Sequence, residues 1–131
     1  MSPKLLGIGV ETGAVTHELL DRGRVFALSI LPRSERAVVR RFVKPVTESI
    51  VDDTTGAGTM NGEPVHVATT GAPILDVSVS WLDCEVRHVL ALGSHSWFVG
   101  EVVDCGGSSD ESVEPDAGVL RMEDTRMNYG G

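Results

Sequence analysis

The sequence predicts a small, mainly β, antiparallel barrel with two short helices, and three observations point to it. Val77, Val79 and Trp81 alternate with Ser78 and Ser80, the two-residue period of a half-buried strand. At Trp81-Leu82 the phase flips, so that Leu82, Cys84 and Val86 become apolar against Asp83, Glu85 and Arg87. One extra residue in a strand does this, and lets the strand serve two faces of a curling sheet. Gly93-Ser94 then supplies a two-residue hairpin turn, with Gly where φ must be positive, and a return strand runs from His95 to about Cys105. Two long coiled strands joined by a tight turn favour a barrel, because closure leaves no free edge.

The chain of 131 residues reads as one domain, residues 1–131, long enough to bury a sizeable core. No apolar run approaches the roughly 18 residues of a membrane span, and Met1-Ser-Pro-Lys4 leads straight into a strand with no signal peptide ahead of it. The expectation is a cytoplasmic protein without membrane contact. Cys84 and Cys105 lack metal-ligand spacing and read as two buried strand thiols. The net charge of −8 argues against nucleic-acid binding. That charge is uneven: residues 1–47 carry +4 and residues 48–131 carry −12, so the first third is the natural home for an anion.

Taken in order, Lys4 to Val10 is a strand with Leu6, Ile8 and Val10 on one face and Gly7 and Gly9 on the other. Glycines on one face admit another backbone or a flat ring. Gly7-Ile-Gly9-Val-Glu-Thr-Gly13 is only a loose dinucleotide fingerprint, since no second βαβ unit follows. Glu11 to Ala14 is a turn, and Thr12 or Thr16 can cap a helix of about Val15 to Asp21. Such a helix start either cradles a phosphate or is simply capped. A strand from Arg24 to Leu31 ends at Pro32. Ser34 then caps a second helix, Glu35 to Val43, with Val38, Val39, Phe42 and Val43 apolar. Arg36, Arg40 and Lys44 form a cationic row on that helix, facing a phosphate, an acidic partner or solvent.

Residues 45–73, rich in Gly and Pro, read as a long excursion over the surface. Asp52-Asp-Thr-Thr-Gly56-Ala-Gly-Thr59 lacks the Gly-Lys-Ser/Thr ending of a phosphate-binding loop. After the central hairpin comes a polar acidic loop to Gly118, then a short strand from Val119 to Met122. His17, His66, His88 and His95 are scattered, and no nucleophile–base pair stands out by spacing. His95, just past the hairpin turn, can lean over a barrel mouth or hydrogen-bond within the turn. The absence of acid–base machinery fits chemistry carried by a cofactor.

Several segments in fixed order resemble one family. Leu6-Gly-Ile-Gly-Val-Glu-Thr-Gly-Ala-Val-Thr-His-Glu-Leu-Leu20, Val25-Phe-Ala-Leu-Ser-Ile-Leu-Pro32, Gly71-Ala-Pro-Ile-Leu75, Trp81-Leu-Asp-Cys-Glu-Val86, Gly93-Ser-His-Ser-Trp-Phe-Val-Gly-Glu-Val102 and Tyr129-Gly-Gly131 resemble the flavin reductase-like domain, the FMN-binding split barrel. Members usually have further residues ahead of the position of Met1, which supply the first strands and much of the flavin contact. The chain thus reads as an N-terminally shortened member, by a late-started reading frame or genuinely, whose incomplete barrel exposes edges that invite another chain.

The resemblance implies non-covalent FMN, with FAD an option, held in a homodimer, and NADH or NADPH as substrate. It implies flavin contacts at Glu11, Thr12, Gly13 and Thr16, an isoalloxazine neighbour at Ser29, and Tyr129 packing near the site. His95 matches the family histidine near the approaching nicotinamide, and is the expected catalytic residue. The Asp common before that histidine is Ser94 here, which puts its orienting role in doubt. The implied activity is NAD(P)H-dependent flavin reduction, supplying reduced flavin to a monooxygenase partner. The alternative is a flavin-binding or structural split-barrel subunit without turnover.

Overall fold

A computed structural model of the chain describes residues 2–108 and 118–127. Two four-stranded antiparallel sheets are present, and they do not close into one continuous barrel. The first is built from β1 (Leu5–Glu11), β2 (Val25–Ile30), β7 (Ser80–Leu92) and β8 (His95–Gly107), in the order β1-β8-β7-β2. The second is built from β3 (Ser49–Val51), β4 (Gly58–Met60), β5 (Glu63–Val67) and β6 (Pro73–Leu75), in that order. Helices α1 (Val15–Gly23), α2 (Arg36–Arg41) and α3 (Met122–Thr125) complete the fold. No described helix is long and apolar enough to cross a membrane.

The β7–β8 hairpin is the spine of the first sheet. It turns at Gly93, φ 80°, with Leu92 opposite His95, as the Gly-Ser pair predicts. The register slips between Asp83 and Cys84 and again between Val86 and His88. Val103 is left over on β8 and Arg87 on β7, so the two bulges cancel and the far ladder returns to its original register. Arg87 is held by Glu85 at 2.9 Å and Glu101 at 2.7 Å, which balances the extra residue's charge.

The predicted strand start at Val77 is not found. Asp76 and Val77 form a turn after β6, and β7 begins at Ser80. The extra residue expected in this strand at Trp81-Leu82 is not there: at the Asp83/Cys84 slip the extra residue is Val103 on β8, and the bulged residue of β7 is Arg87. The alternation also misreads Asp83, which is fully buried beside fully buried Cys84. Both faces of β7 are covered there. Cys84 faces the core with Phe26 near Gly100, while the Thr69–Ala72 segment covers the other face. Thr70 donates its backbone N–H to Asp83 at 2.8 Å and its hydroxyl to the same carboxylate.

The core of the first sheet forms on the face of Leu6, Ile8 and Val10, paired with Gly100, Phe98 and Ser96. Phe98 is fully buried, and α1 brings His17 against it. The imidazole of His17 stands edge-on to the Phe98 ring at 5.2 Å and hydrogen-bonds the Ser96 hydroxyl at 2.7 Å. On the opposite face Gly7 and Gly9 carry the indole of Trp97. The flat ring that these glycines admit is therefore one of the chain's own. A Cβ at Gly7 would fall into that indole.

The segment expected to be a loop over residues 45–73 contains β3, β4 and β5 and reaches the first residue of β6. Its strands are three to five residues long, too short for a period to emerge. A hairpin signal is nevertheless present. Asn61 and Gly62, φ 47° and 78°, form the two-residue turn between β4 and β5. The Asn61 side chain also donates to the Arg41 carbonyl at 2.9 Å and accepts the Thr47 N–H at 3.2 Å, tying the sheet to the end of α2. Val65 and Ile74 are its buried centre. The Asp52 carboxylate accepts N–H groups of Thr54 and Thr55, which closes a local turn and holds its pKa below the usual range.

Three smaller expectations fail as well. Neither Thr12 nor Thr16 caps α1; Ala14 stands at that position without a side-chain bond. Ser34 does not cap the second helix, which enters through a 3-10 turn, Arg33–Glu35, and ends at Arg41. Val119 makes only an isolated bridge to Pro32, and Met122 already belongs to α3.

Gly100 sits in the core of the first sheet and leaves no room for a side chain. A Cβ there would lie 2.6 Å from the Phe26 ring and 3.0 Å from the Cys84 Cβ. Gly100→Ala is expected to cost about 1–3 kcal/mol through overpacking, read as a lower urea midpoint with an unchanged slope.

Candidate functional site

The residues picked out by sequence fall into two groups. The first gathers where β1 meets the hairpin turn. Glu11 is the register partner of His95. Thr12 donates its N–H to the Ser94 carbonyl at 2.9 Å and its hydroxyl to the Gly93 carbonyl at 3.0 Å. These two bonds fasten the start of the Thr12–Ala14 turn to the hairpin tip. Gly13 follows with open space around it, as a Cβ there would touch nothing within 4 Å. Thr16 is exposed in the first turn of α1.

His95 is exposed at this end. Its Nδ1 lies 2.9 Å from the Ser94 hydroxyl, so the serine that replaces the usual Asp does contact the ring. With Nδ1 engaged by Ser94, Nε2 is the ring nitrogen left to donate to or accept from a ligand.

Ser29 belongs to a second group. It pairs with Trp81, which in turn pairs with Gly106. Along β8, Gly106 is eleven residues from His95, roughly 35 Å of strand path at 3.3 Å per residue. Within one chain, therefore, Ser29 and His95 do not converge. The Ser29 hydroxyl accepts the Leu75 N–H at 3.1 Å and so joins the two sheets. Its proton remains available to a ligand. Tyr129 lies outside the described residues.

The Ser29 end contains a cavity of about 380 Å³, walled by Ile30, Leu31, Val39, Leu120, Met122 and Met127 among others. That volume is within the range of small-molecule sites, about 300–1,000 Å³. Mostly apolar walls, with Ser29, Thr125 and Arg121 as the polar residues, suit a flat heteroaromatic ring. Nearby, Trp81 lies over Gly106, and His66 stands edge-on to its indole at 6.0 Å. His66 Nδ1 is 2.6 Å from the Asp76 carboxylate. Spacing along the sequence gives no hint of the His66–Asp76 pair or of the α3 wall. Each joins segments whose pairing only the second sheet or the Pro32–Val119 bridge creates.

Among the described residues no three His, Cys, Asp or Glu side chains cluster as metal ligands. The two cysteines differ sharply. Cys84 is buried, and desolvation, reinforced by the Asp83 charge, raises its pKa to about 11. Cys105 is exposed and free.

With this geometry in hand, the likeness to known proteins is extensive. The Flavin reductase like domain profile matches residues 1–128, and the chain belongs to that family. A curated relative, the NADH-dependent flavin reductase StyB of Pseudomonas fluorescens, is 28% identical over 115 residues, covering 88% of this chain and 61% of the relative. An NADH-dependent FAD reductase of Streptomyces globisporus is 30% identical over 103 residues, covering 79% of this chain and 54% of the relative. The chain thus spans little more than half the length of these curated relatives. Among solved structures, the Streptomyces globisporus NADH:FAD oxidoreductase SgcE6 superposes with a TM-score of 0.65 at 29% identity, over 82% of this chain and 60% of that one. An FMN-binding protein of Thermus thermophilus gives 0.68 at 26% identity, over 89% of this chain and 62% of that one. The fold is that of these split-barrel proteins.

The contrast between the thiols is directly measurable. A disulfide reagent at pH 8 is expected to modify Cys105 rapidly and Cys84 only on unfolding, since few buried thiols ionise at that pH. Two equally fast equivalents in the folded protein would contradict the burial of Cys84.

Proposed function

We propose that the chain is a single-domain flavin-binding unit of an NAD(P)H-dependent flavin reductase. The observation that carries the reading is the pairing of two features in a chain of this family. One is an apolar cavity beside the Ser29 hydroxyl. The other is an imidazole held by Ser94 at the hairpin tip. The flavin, FMN or FAD, supplies the hydride acceptor. The protein's part is positioning and electrostatics. Ser29 and the apolar wall would hold the ring, and exclusion of water there would strengthen the polar contacts made to it. Glu11, Thr12, Gly13, Thr16 and His95 would meet the nicotinamide or the flavin's polar end. The names of the relatives support NADH as donor, and the reading extends to a monooxygenase partner that consumes the reduced flavin in the cytoplasm.

The separation of Ser29 from His95 favours a homodimer in which each site draws on both chains. An apolar outer face supports this. Leu5, Leu90, Leu92 and Trp97 are 54, 50, 62 and 43% exposed on the β1–β8–β7 surface, a surface of the kind that marks an interaction site. In a two-fold arrangement the same patch meets itself. The same separation also favours the second reading, a flavin-binding subunit without turnover.

The deciding experiment follows nicotinamide absorbance on mixing the protein with NADH, or NADPH, and FMN or FAD. Flavin-dependent oxidation is expected. His95→Ala should lower kcat/KM for the nicotinamide about 10- to 100-fold while leaving flavin binding intact. Retained flavin with no oxidation by any pair selects the non-catalytic reading, and absence of flavin binding defeats both.

A composite site makes its own prediction. His95→Ala and Ser29→Trp chains, each impaired alone, should regain part of the activity when dissociated, mixed and reassociated. No recovery, or a monomer by sedimentation at all concentrations, would count against the shared site.

A further inference from the structure

A second cavity, of about 450 Å³, lies on the polar side of α3 and is lined by Arg33, Ser34, Arg36, Glu123, Asp124 and Arg126. Its walls come from two distant stretches of chain, and four contacts clamp them together. Pro32 bridges to Val119, the Arg33 N–H reaches the Gly118 carbonyl at 2.8 Å, and the Leu120 N–H reaches the Leu31 carbonyl at 2.9 Å. The Arg33 guanidinium then binds the Asp124 carboxylate at 3.2 Å. That guanidinium also lies against Gly118, where a Cβ would come within 3.2 Å of it.

The charge balance of the cavity is instructive. Arg33 is matched by Asp124, and Arg121 by Glu123 at 3.4 Å. Asp124 also accepts the Arg121 N–H at 2.9 Å, and this bond, with Arg33, holds its pKa below the ordinary carboxylate range. The two carboxylates on the rim are thus already engaged. Arg36 and Arg126 are not: among the described residues neither guanidinium has a hydrogen-bond or ion-pair partner. Two uncompensated positive charges therefore face one clamped cavity, in a chain whose net charge is −8. A phosphomonoester carries about −1.5 to −2 at neutral pH and offers three acceptor oxygens, which guanidinium forks bind well.

We propose that Arg36 and Arg126, with Arg33 and Ser34 beside them, form a receptor for a phosphate group. Arg36 and Arg126 supply the charge. Arg33, fixed by Asp124 and Gly118, sets the geometry, and the Ser34 hydroxyl adds a donor. The group can belong to a nucleotide or be free phosphate, and the site is separate from the hairpin-end residues Glu11 to Thr16.

Inorganic phosphate is the first probe, followed through the arginine side-chain N–H resonances. A saturable shift is expected, absent with chloride at equal ionic strength. Arg36→Gln or Arg126→Gln should weaken it about tenfold each, whereas Arg40→Gln, on the same helix but outside the cavity, should leave it unchanged. Circular dichroism of each variant checks the fold. A response that does not saturate, or that survives in the Arg36→Gln/Arg126→Gln double variant, overturns the proposal. FMN against riboflavin, and NADPH against NADH, identify the source. The pair whose discrimination is lost in the variants owns the phosphate, and binding of inorganic phosphate with neither pair discriminated leaves free phosphate as the ligand. Flavin reduction, measured in parallel, bears on the reductase reading alone.

Discussion

Antiparallel pairing between β7 and β8 holds the first sheet together, because β1 and β2 have no other full-length partner. Each of these strands pairs along one side of the ribbon, so any change in its register would move both. Two compensating bulges let the ribbon bend without losing that register. Strand alternation turns Cys84 to the core while Asp83, its neighbour, anchors the Thr69–Ala72 segment on the other side. A buried carboxylate is costly unless its hydrogen bonds are satisfied, and the two bonds from Thr70 meet that requirement. The second sheet is thus tied to the first through polar contacts, with the Ser29–Leu75 bond at the other seam.

How much of this was legible in the sequence depends on the length scale of each feature. The hairpin turn, the glycine and apolar faces of β1 and the helix α1 were readable, since each is a local signal several residues long. The second sheet was not, because three-residue strands carry no usable period and the Asn61-Gly62 turn stood among so many other Gly and Pro residues. The buried Asp83 was misread for a different reason. Alternation predicts sidedness only where one face meets water, and the face of Asp83 is covered by a segment far from it in the chain.

The candidate site divides along the same line. Resemblance to a family supplied its residues one at a time, and nothing in the sequence says which of them meet. The register answers this: Glu11, Thr12 and His95 share one end of the sheet, and Ser29 marks the other. Serine at position 94 still reaches the imidazole, so the loss of a carboxylate there changes the charge next to the ring more than its anchorage.

The chain's two tryptophans lie on glycines at opposite ends of this sheet, Trp97 over Gly7 and Gly9 and Trp81 over Gly106. Each indole is seated on bare backbone; Trp97 is exposed, and Trp81 has His66 against it. The fold therefore carries two built-in fluorophores, one per end. With one replaced by phenylalanine, the emission of the other reports a single region. A quencher such as a bound flavin would then reveal, by which indole it dims, the end at which it has settled.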